Sequence, residues 1–185
     1  MVDTTVQTVI CFDRDFTVSV NAPDGSEAVP LGLVKKLAHD TPHVHVWATG
    51  NQHLKKEAVI PGVHEARELW IDCYQKSVFE TYERYHEKSS RPRREDRLRI
   101  VRDVYECNGI DPETIRWVVV DDANLTFMED EGWEYYTSWD FMPAVRNGQF
   151  SFTDDVGKFN DTGANSNACT DPSTDTYIQV PSVLR

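Results

Sequence analysis

The fold is decided by one short stretch, VICFDRDFTV at residues 9–18. Its first four residues are apolar and include β-branched and aromatic side chains, which predicts a buried strand too short to be a typical helix. The run ends in two acids, Asp13 and Asp15. Because burying an unpaired carboxylate costs free energy, we expect both at the carboxyl end of the strand, where open α/β sheets bind ligands. A strand followed by a solvated acidic turn gives the same pattern, so this stretch alone leaves both interpretations open.

The composition is that of an acidic globular protein. A length of 185 residues suits one domain, and a hydrophobic content of 39% supports a core. The 31 acidic residues against 19 basic ones give a net charge of −12. This balance argues against a general nucleic-acid binder, because such proteins need a basic face to neutralise phosphates. The acids are spread along the chain and lysines are few, a composition that resembles haloarchaeal proteins and predicts a halophilic host.

The cysteines and the N-terminus indicate the cellular compartment. The four cysteines lie far apart and form no CxxC pair, which argues against a zinc site and against a disulfide framework. The N-terminus lacks the basic and then apolar pattern of a signal peptide, and no apolar run is long enough to cross a membrane. We therefore expect a cytoplasmic protein with no membrane partner. The cysteines are Cys11, Cys73, Cys107 and Cys169.

The rest of the chain alternates between helical and strand patterns. The predicted helices cover residues 30–39, 63–87 and about 95–108, the predicted strands 43–48 and 116–120, and a final strand or packed loop lies within 125–141. Strands separated by helices imply right-handed crossovers. We predict an α/β protein with a Rossmann-like three-layer fold, in which helices flank a central parallel sheet. After about residue 145 the sequence becomes polar, so we predict one domain at 1–145 and a C-terminal extension at 146–185 that is disordered or loosely docked.

Three strand ends carry polar residues in a recognisable order. The first strand ends in FDRDFT at residues 12–17, the second in VWAT at 46–49, and the third in VVVDD at 118–122. The order resembles that of the haloacid dehalogenase-like (HAD) superfamily of phosphohydrolases. Its first motif is an apolar strand followed by D-x-D-x-T/V, its second strand ends in Ser or Thr, and its fourth motif ends in an acidic pair. The resemblance implies a HAD-like catalytic domain at 1–145.

The family's third motif is a Lys, or in some members an Arg, near the start of the helix before the acidic-pair strand. Four basic residues lie in this region, and the sequence leaves the choice among them open. We favour Arg94, since it comes directly before the predicted helix. The other candidates are Lys88, Arg91 and Arg93.

The resemblance assigns a role to each motif residue. Asp13 is the expected nucleophile, which forms an aspartyl-phosphate, and Asp15 is the expected general acid and base. Two carboxylates and a phosphate dianion repel one another, so Mg²⁺ is the implied cofactor. The implied metal ligands are the Asp13 carboxylate, the Asp15 backbone carbonyl and the Asp122 carboxylate, with Asp121 acting through a water or in support. The residues expected to bind the substrate phosphoryl group are Thr49, Gly50, Asn51 and Arg94, of which Thr49 and Arg94 are also expected to be catalytic.

Asp15 also favours a phosphatase over a dehalogenase, because a halide leaving group needs no proton. The interval between Asp13 and Thr49 is filled by one turn and one helix, and the segment after Thr49 by the helix at 63–87, so we expect no large cap domain. The implied partner is a phosphorylated substrate, whose identity the sequence does not give.

Two other functions share these parts. A receiver domain of a two-component system also uses acids, a hydroxyl, a Lys and Mg²⁺, but its hydroxyl comes after the phosphorylated Asp, whereas Thr49 precedes the second acidic pair here. A non-catalytic member of the HAD fold, which binds a phospho-ligand or a protein, is the alternative that the sequence leaves open, because fold does not fix function.

Overall fold

A computed structural model describes residues 6–19, 26–50, 52–74, 93–150, 180–181 and 184. Within them the elements follow in the order β1 (Thr8–Phe12), α1 (Leu31–His39), β2 (Val44–Ala48), α2 (Gln52–Ala58), α3 (Val63–Tyr74), α4 (Arg94–Cys107), β3 (Arg116–Val120), β4 (Trp133–Tyr136) and α5 (Ser138–Arg146). Short 3₁₀ helices at Pro112–Thr114 and Thr126–Glu131 precede β3 and β4.

The four strands form one parallel sheet in the order β2-β1-β3-β4. The predicted α/β class with a parallel sheet is confirmed. The chain first places β2 on one side of β1 and then crosses to place β3 on the other side. The direction of strand addition therefore reverses beside β1, and open α/β sheets bind ligands at such a point, outside the carboxyl ends of the strands.

Both faces of the sheet are covered by helices, because alternate residues of each strand point to opposite faces. Even-numbered residues of β1, such as Ile10 and Phe12, pack with apolar residues of α1, α2 and α5. Odd-numbered residues, such as Val9 and Cys11, pack with those of α3 and α4. The same alternation places the apolar side chains of the inner strands in two layers, and all of them are buried.

Two helices were not predicted. Helix α2 has seven residues and buries only a short stripe, formed by Leu54 and Ala58, so its sequence gives little helical periodicity. Helix α5 contains Pro143 and aromatic residues, which suggested a strand or loop. The Thr137 side chain accepts a hydrogen bond from the Asp140 backbone N–H at 3.2 Å, and this cap begins the helix.

The described parts of the C-terminal region contact the core. Phe150 is fully buried among residues of α5 and β4. Near the C-terminus, Leu184 is 1% exposed and Val180 packs against the layer that contains α3 and α4. Residues 151–179, which hold most of the predicted extension, and residues 75–87 of the predicted long helix lie outside the described residues. No helix in the described ranges has both the length and the apolar content needed to cross a membrane.

The expectation that the cysteines form no disulfide is wrong. Cys73 and Cys107 form a disulfide, with their Cα atoms 6.1 Å apart and a sequence separation of 34. The two residues lie near the C-terminal ends of α3 and α4, which pack side by side, and the Trp70 ring N–H donates to Asp103 at 3.1 Å between the same helices. The wide spacing of the cysteines in the sequence gave no sign of this disulfide, because tertiary packing brings the two thiols together.

Reduction of this disulfide should destabilise the protein. A cross-link over a loop of this length lowers the entropy of the unfolded chain, so its loss should reduce the free energy of unfolding by about 2–4 kcal/mol. Urea unfolding with and without a thiol reductant measures the effect. The double variant Cys73→Ser/Cys107→Ser is the control and should not respond to the reductant. An unfolding midpoint of the unaltered protein that is the same in both conditions would show that the disulfide contributes no stability.

Candidate functional site

The strand register aligns three polar residues at one edge of the sheet. Phe12 at the end of β1 pairs with Ala48 of β2 and with Val120 of β3. The residues that follow these three also lie side by side. The Thr49 N–H donates to the Phe12 carbonyl at 2.9 Å, and the Asp13 N–H donates to the Val120 carbonyl at 3.0 Å. The residues in this row are Asp13, Thr49 and Asp121, as expected for motifs at the carboxyl ends of parallel strands.

Arg94 lies among the carboxylates of this edge. It is the first residue of α4, and its Nη1 lies 3.2 Å from Asp13 Oδ2 and 3.4 Å from Asp122 Oδ1, and also contacts Asp121. Arg93, the residue before the helix, is 67% exposed and lies 3.9 Å from Glu95. The other two basic candidates, at positions 88 and 91, lie outside the described residues.

The three aspartates can offer oxygen ligands to a cation. One carboxylate oxygen each from Asp13, Asp121 and Asp122 lies within 4.8 Å of the other two. Charged oxygens at this spacing suit a hard cation such as Mg²⁺, which takes oxygen ligands and keeps several waters. When all three are ionised, one guanidinium does not balance their charge. The donor set thus fits the implied metal.

Burial changes the acidity of two of these aspartates. Burial raises the pKa of Asp13, and the backbone hydrogen bond from Arg14 and the charge of Arg94 offset part of the increase. Burial also raises the pKa of Asp121, which is 2% exposed, to about 7. The nearby Asp13 charge contributes to this increase, because a second negative charge disfavours ionisation.

This raised pKa predicts how stability depends on pH and metal. Between about pH 4 and 7 the folded protein keeps a proton on Asp121 that the unfolded chain has released, so the free energy of unfolding should fall as pH rises through this window. A cation needs the ionised carboxylate, so Mg²⁺ should raise the melting temperature more at about pH 8 than at about pH 5.

Thermal melts in molar salt, with Mg²⁺ or with EDTA, measure both effects, and the high salt screens the general surface charge. Asp121→Asn is the comparison variant and should lose most of the dependence on pH. Equal stabilisation by Mg²⁺ at both pH values would contradict the prediction.

Thr49 presents a buried hydroxyl at the same edge. Its Oγ1 atom is buried and has no hydrogen-bond partner among the described residues. Its backbone carbonyl accepts a hydrogen bond from Arg97 at 2.6 Å, which ties the end of β2 to α4. Buried hydroxyls usually have partners, and leaving one unpaired costs free energy. The hydroxyl therefore has an unused hydrogen bond at the edge of the sheet where Thr49 lines the cleft.

Gly50 makes a close approach to the carboxylate of Asp13. A Cβ atom at position 50 would lie 1.5 Å from Asp13 Oδ1 and 2.7 Å from its Cγ. The backbone of Gly50 does not have a positive φ, so the glycine is required by space rather than by conformation. The next expected substrate-binding residue, Asn51, lies outside the described residues.

The edge opens into a cleft of about 740 Å³. Asp15 lies at its side, with a half-exposed carboxylate 3.7 Å from Arg14. Several lining residues were not identified from the sequence, and these are Phe16, His53, Lys55, His64 and Arg97. Arg97 had a signal that could have identified it, because residues three apart share one face of a helix and Arg94 was already a candidate.

The start of α3 also lines the cleft. Lys55 of α2 bonds to Glu65, whose second oxygen accepts the Gly62 backbone N–H at 3.0 Å. These contacts tie α2 to the first turn of α3 and leave His64 exposed beside the cleft. His64 and Lys55 line the same cleft as Asp13 and Asp122, with Lys55 paired to Glu65 and His64 3.4 Å from Glu68.

No model of a known protein family matches the chain, and the comparisons with curated proteins and with solved structures also find no match.

Proposed function

We propose that the chain is a HAD-like, Mg²⁺-dependent phosphatase that hydrolyses phosphomonoesters through an aspartyl-phosphate. The observation that supports this most is the cluster of three carboxylates with Arg94 at the carboxyl ends of β1 and β3. It lies where the order of the strands reverses, and Asp13, Asp122 and Arg94 line the cleft there. A nucleophile, a cation site and a hydroxyl donor converge there, as phosphoryl transfer requires.

In this proposal the Asp13 and Asp122 carboxylates and the Asp15 backbone carbonyl would hold a Mg²⁺ ion, and Asp121 would contribute through a bound water or by supporting these ligands. When bound, the ion offsets the repulsion between the carboxylates and the phosphoryl oxygens. Burial raises the pKa of Asp13, and a nucleophilic carboxylate must be ionised. The positive charges of Arg94 and of a bound cation favour that ionised form.

The reaction then proceeds in two displacements. A carboxylate oxygen of Asp13 attacks phosphorus, the bond from phosphorus to the ester oxygen breaks, and Asp15 gives its proton to the leaving alcohol. A water molecule next attacks the phosphorus of the aspartyl-phosphate, Asp15 takes the proton from that water, and the Asp13 carboxylate and inorganic phosphate are released. The half-exposed position of Asp15 at the side of the cleft suits a group that exchanges protons with the leaving alcohol and with water.

Two residues stabilise the charge of the phosphoryl group. The Thr49 hydroxyl, which has no partner within the described part of the chain, donates to one phosphoryl oxygen. Arg94 neutralises negative charge that develops on the others, and Arg97 keeps Thr49 in position through its carbonyl. Arg94 acts as a cation whose charge is fixed at any working pH.

We also propose that the enzyme has no large cap domain and an acidic surface adapted to high salt. The described segment between β1 and β2 contains α1, and α2 with α3 forms one wall of the cleft rather than a cover. An open cleft of this kind accepts a phosphoryl group on a large molecule as readily as on a small one.

One observation favours the alternative, a non-catalytic protein that binds a phospho-ligand. Arg94 contacts the same three carboxylates that the metal needs, so its guanidinium competes with a cation for them. Such a protein would still bind phosphate through Thr49 and the basic residues of the cleft.

Hydrolysis of para-nitrophenyl phosphate in molar salt distinguishes the two functions. We expect phosphate release with Mg²⁺, its loss on chelation with EDTA, and its recovery when Mg²⁺ is added back. Turnover that is unaffected by EDTA would contradict the metal-dependent mechanism. Phosphate binding measured by calorimetry, without any turnover across a panel of phosphomonoesters, would favour the binding protein.

A further inference from the structure

Phe16 is an exposed aromatic residue at the mouth of the cleft. Its side chain is 48% exposed, and it lines the cleft next to Asp13 and Asp15. Among the described residues, one other large apolar side chain, Phe127, is equally exposed, and it does not line the cleft. Single exposed apolar side chains are common on protein surfaces, so the exposure of Phe16 bears on ligand binding only because the residue lines the cleft with Asp13 and Asp15.

The backbone of Phe16 adopts a conformation that its side chain disfavours. Its φ angle is +60°, in the left-handed region, where a residue with a bulky side chain is a true outlier. Non-glycine residues with positive φ also occur at Ser19, His43 and Val59, but none of these three lines the cleft. Strain of this kind persists where the surrounding structure imposes it, and it concentrates at ligand sites.

The loop that carries Phe16 is held firmly in place. The backbone N–H groups of Thr17 and Val18 both donate to the Arg14 carbonyl, at 3.2 and 2.9 Å. The Arg14 guanidinium in turn makes two hydrogen bonds to Glu57 of α2, at 2.8 and 3.1 Å. The orientation of Phe16 is thus fixed by the same loop that positions Asp13 and Asp15, so a molecule that contacts its ring has a defined position relative to those carboxylates.

The location of Phe16 identifies which part of a ligand it contacts. The phosphoryl group belongs at the row formed by Asp13 and Thr49, and the leaving oxygen belongs next to Asp15. Phe16 follows Asp15 directly and lines the same cleft, so its exposed ring is a candidate to contact the group attached to that oxygen. The cleft is also lined by His53, Lys55 and His64. A flat ring with a polar edge can therefore stack on Phe16 while its edge meets polar side chains of the same cleft.

We propose that Phe16 is a stacking platform that selects phosphate compounds whose organic group carries a planar aromatic ring close to the phosphoryl group. The proposal rests on the phosphoryl site of the proposed function. It requires that this site bind a phosphoryl group, and it does not require that the site hydrolyse it. Aryl phosphates, benzylic phosphates and phosphates of heteroaromatic compounds belong to this class, and phosphates of saturated alcohols do not.

Binding of two phosphonates tests the proposal without turnover. Benzylphosphonate and cyclohexylmethylphosphonate carry rings of similar size, one flat and one puckered, and their carbon–phosphorus bond resists hydrolysis. Calorimetry with Mg²⁺ in molar salt should show that the unaltered protein binds the aromatic compound about 3- to 10-fold more tightly than the saturated one. Phe16→Ala should lose this preference, whereas Phe127→Ala, the matched control, should retain it.

Phe16→Gly separates recognition from strain. Glycine accepts positive φ without a steric cost, so this variant should melt at the same or a higher temperature than the unaltered protein and should still lose the aromatic preference. Equal binding of both phosphonates by the unaltered protein, or an aromatic preference that survives in both Phe16 variants, would overturn the platform and leave the phosphoryl site intact. Binding of neither phosphonate would overturn the platform together with the phosphoryl site.

Discussion

Replacing Asp13 by Asn should lower kcat for Mg²⁺-dependent phosphate release by about 10³-fold or more, because the amide cannot attack phosphorus or form an acyl phosphate. The change keeps the size of the side chain and removes one of the crowded carboxylates at the sheet edge. Burial raises the pKa of Asp13 in the folded protein, so loss of this charge should leave the melting temperature of the metal-free protein unchanged or raise it. Steady-state kinetics and thermal melts in molar salt measure the two effects.

Asp96→Asn is a matched control for this substitution. Asp96 is also buried, forms an ion pair with Arg99 at 3.0 Å, and does not line the cleft. Its replacement should reduce stability and leave kcat within a few-fold of the unaltered value. Comparable kcat in the Asp13→Asn variant and the unaltered protein would exclude Asp13 as the nucleophile.

Gly50→Ala should lower kcat/KM by about 10²-fold, because the new methyl group would occupy the position of the Asp13 carboxylate. Asp13 is buried and cannot move away freely, so either its carboxylate or the backbone must shift. Overpacking of this kind also costs about 1–3 kcal/mol of stability. Kinetics and urea unfolding of the purified variant measure both losses.

Gly62→Ala provides the comparison within the same cleft. A Cβ at position 62 meets no described atom closer than 3.3 Å, and that nearest atom is in the flexible side chain of Lys55. This variant should keep kcat/KM within a few-fold of the unaltered value. If Gly50→Ala behaves like Gly62→Ala in both measurements, the close approach of Gly50 to Asp13 has no role in positioning the carboxylate.

The sheet could be predicted because its strands carry strong local signals. The apolar runs at β1, β2 and β3 are each followed by a turn or by acids, and burial on both faces requires such continuous apolar strands. The positions of Asp13, Thr49 and Asp121 followed from the rule that parallel strands end at one edge. These inferences needed only the sequence around each strand.

Features that depend on tertiary packing could not be predicted in the same way. The disulfide between Cys73 and Cys107 depends on how α3 packs against α4. The space constraint at Gly50 depends on the distance between two loops that are far apart in the sequence, and the positive φ of Phe16 is seen only once the turn after β1 is built. A glycine after a strand and an aromatic residue after two acids are unremarkable until the loops are brought together, so no local pattern identifies them.

Trapping the covalent intermediate tests the central claim most directly. In an Asp15→Asn variant, para-nitrophenyl phosphate should still transfer its phosphoryl group to Asp13, because nitrophenolate leaves without a proton, whereas hydrolysis of the aspartyl-phosphate should slow. Acid quenching followed by mass spectrometry should detect one added phosphoryl group on the peptide that contains Asp13, and only in reactions that contain Mg²⁺. Nitrophenol release with the phosphoryl group on another residue, or with no modified peptide at any reaction time, would contradict the proposed mechanism.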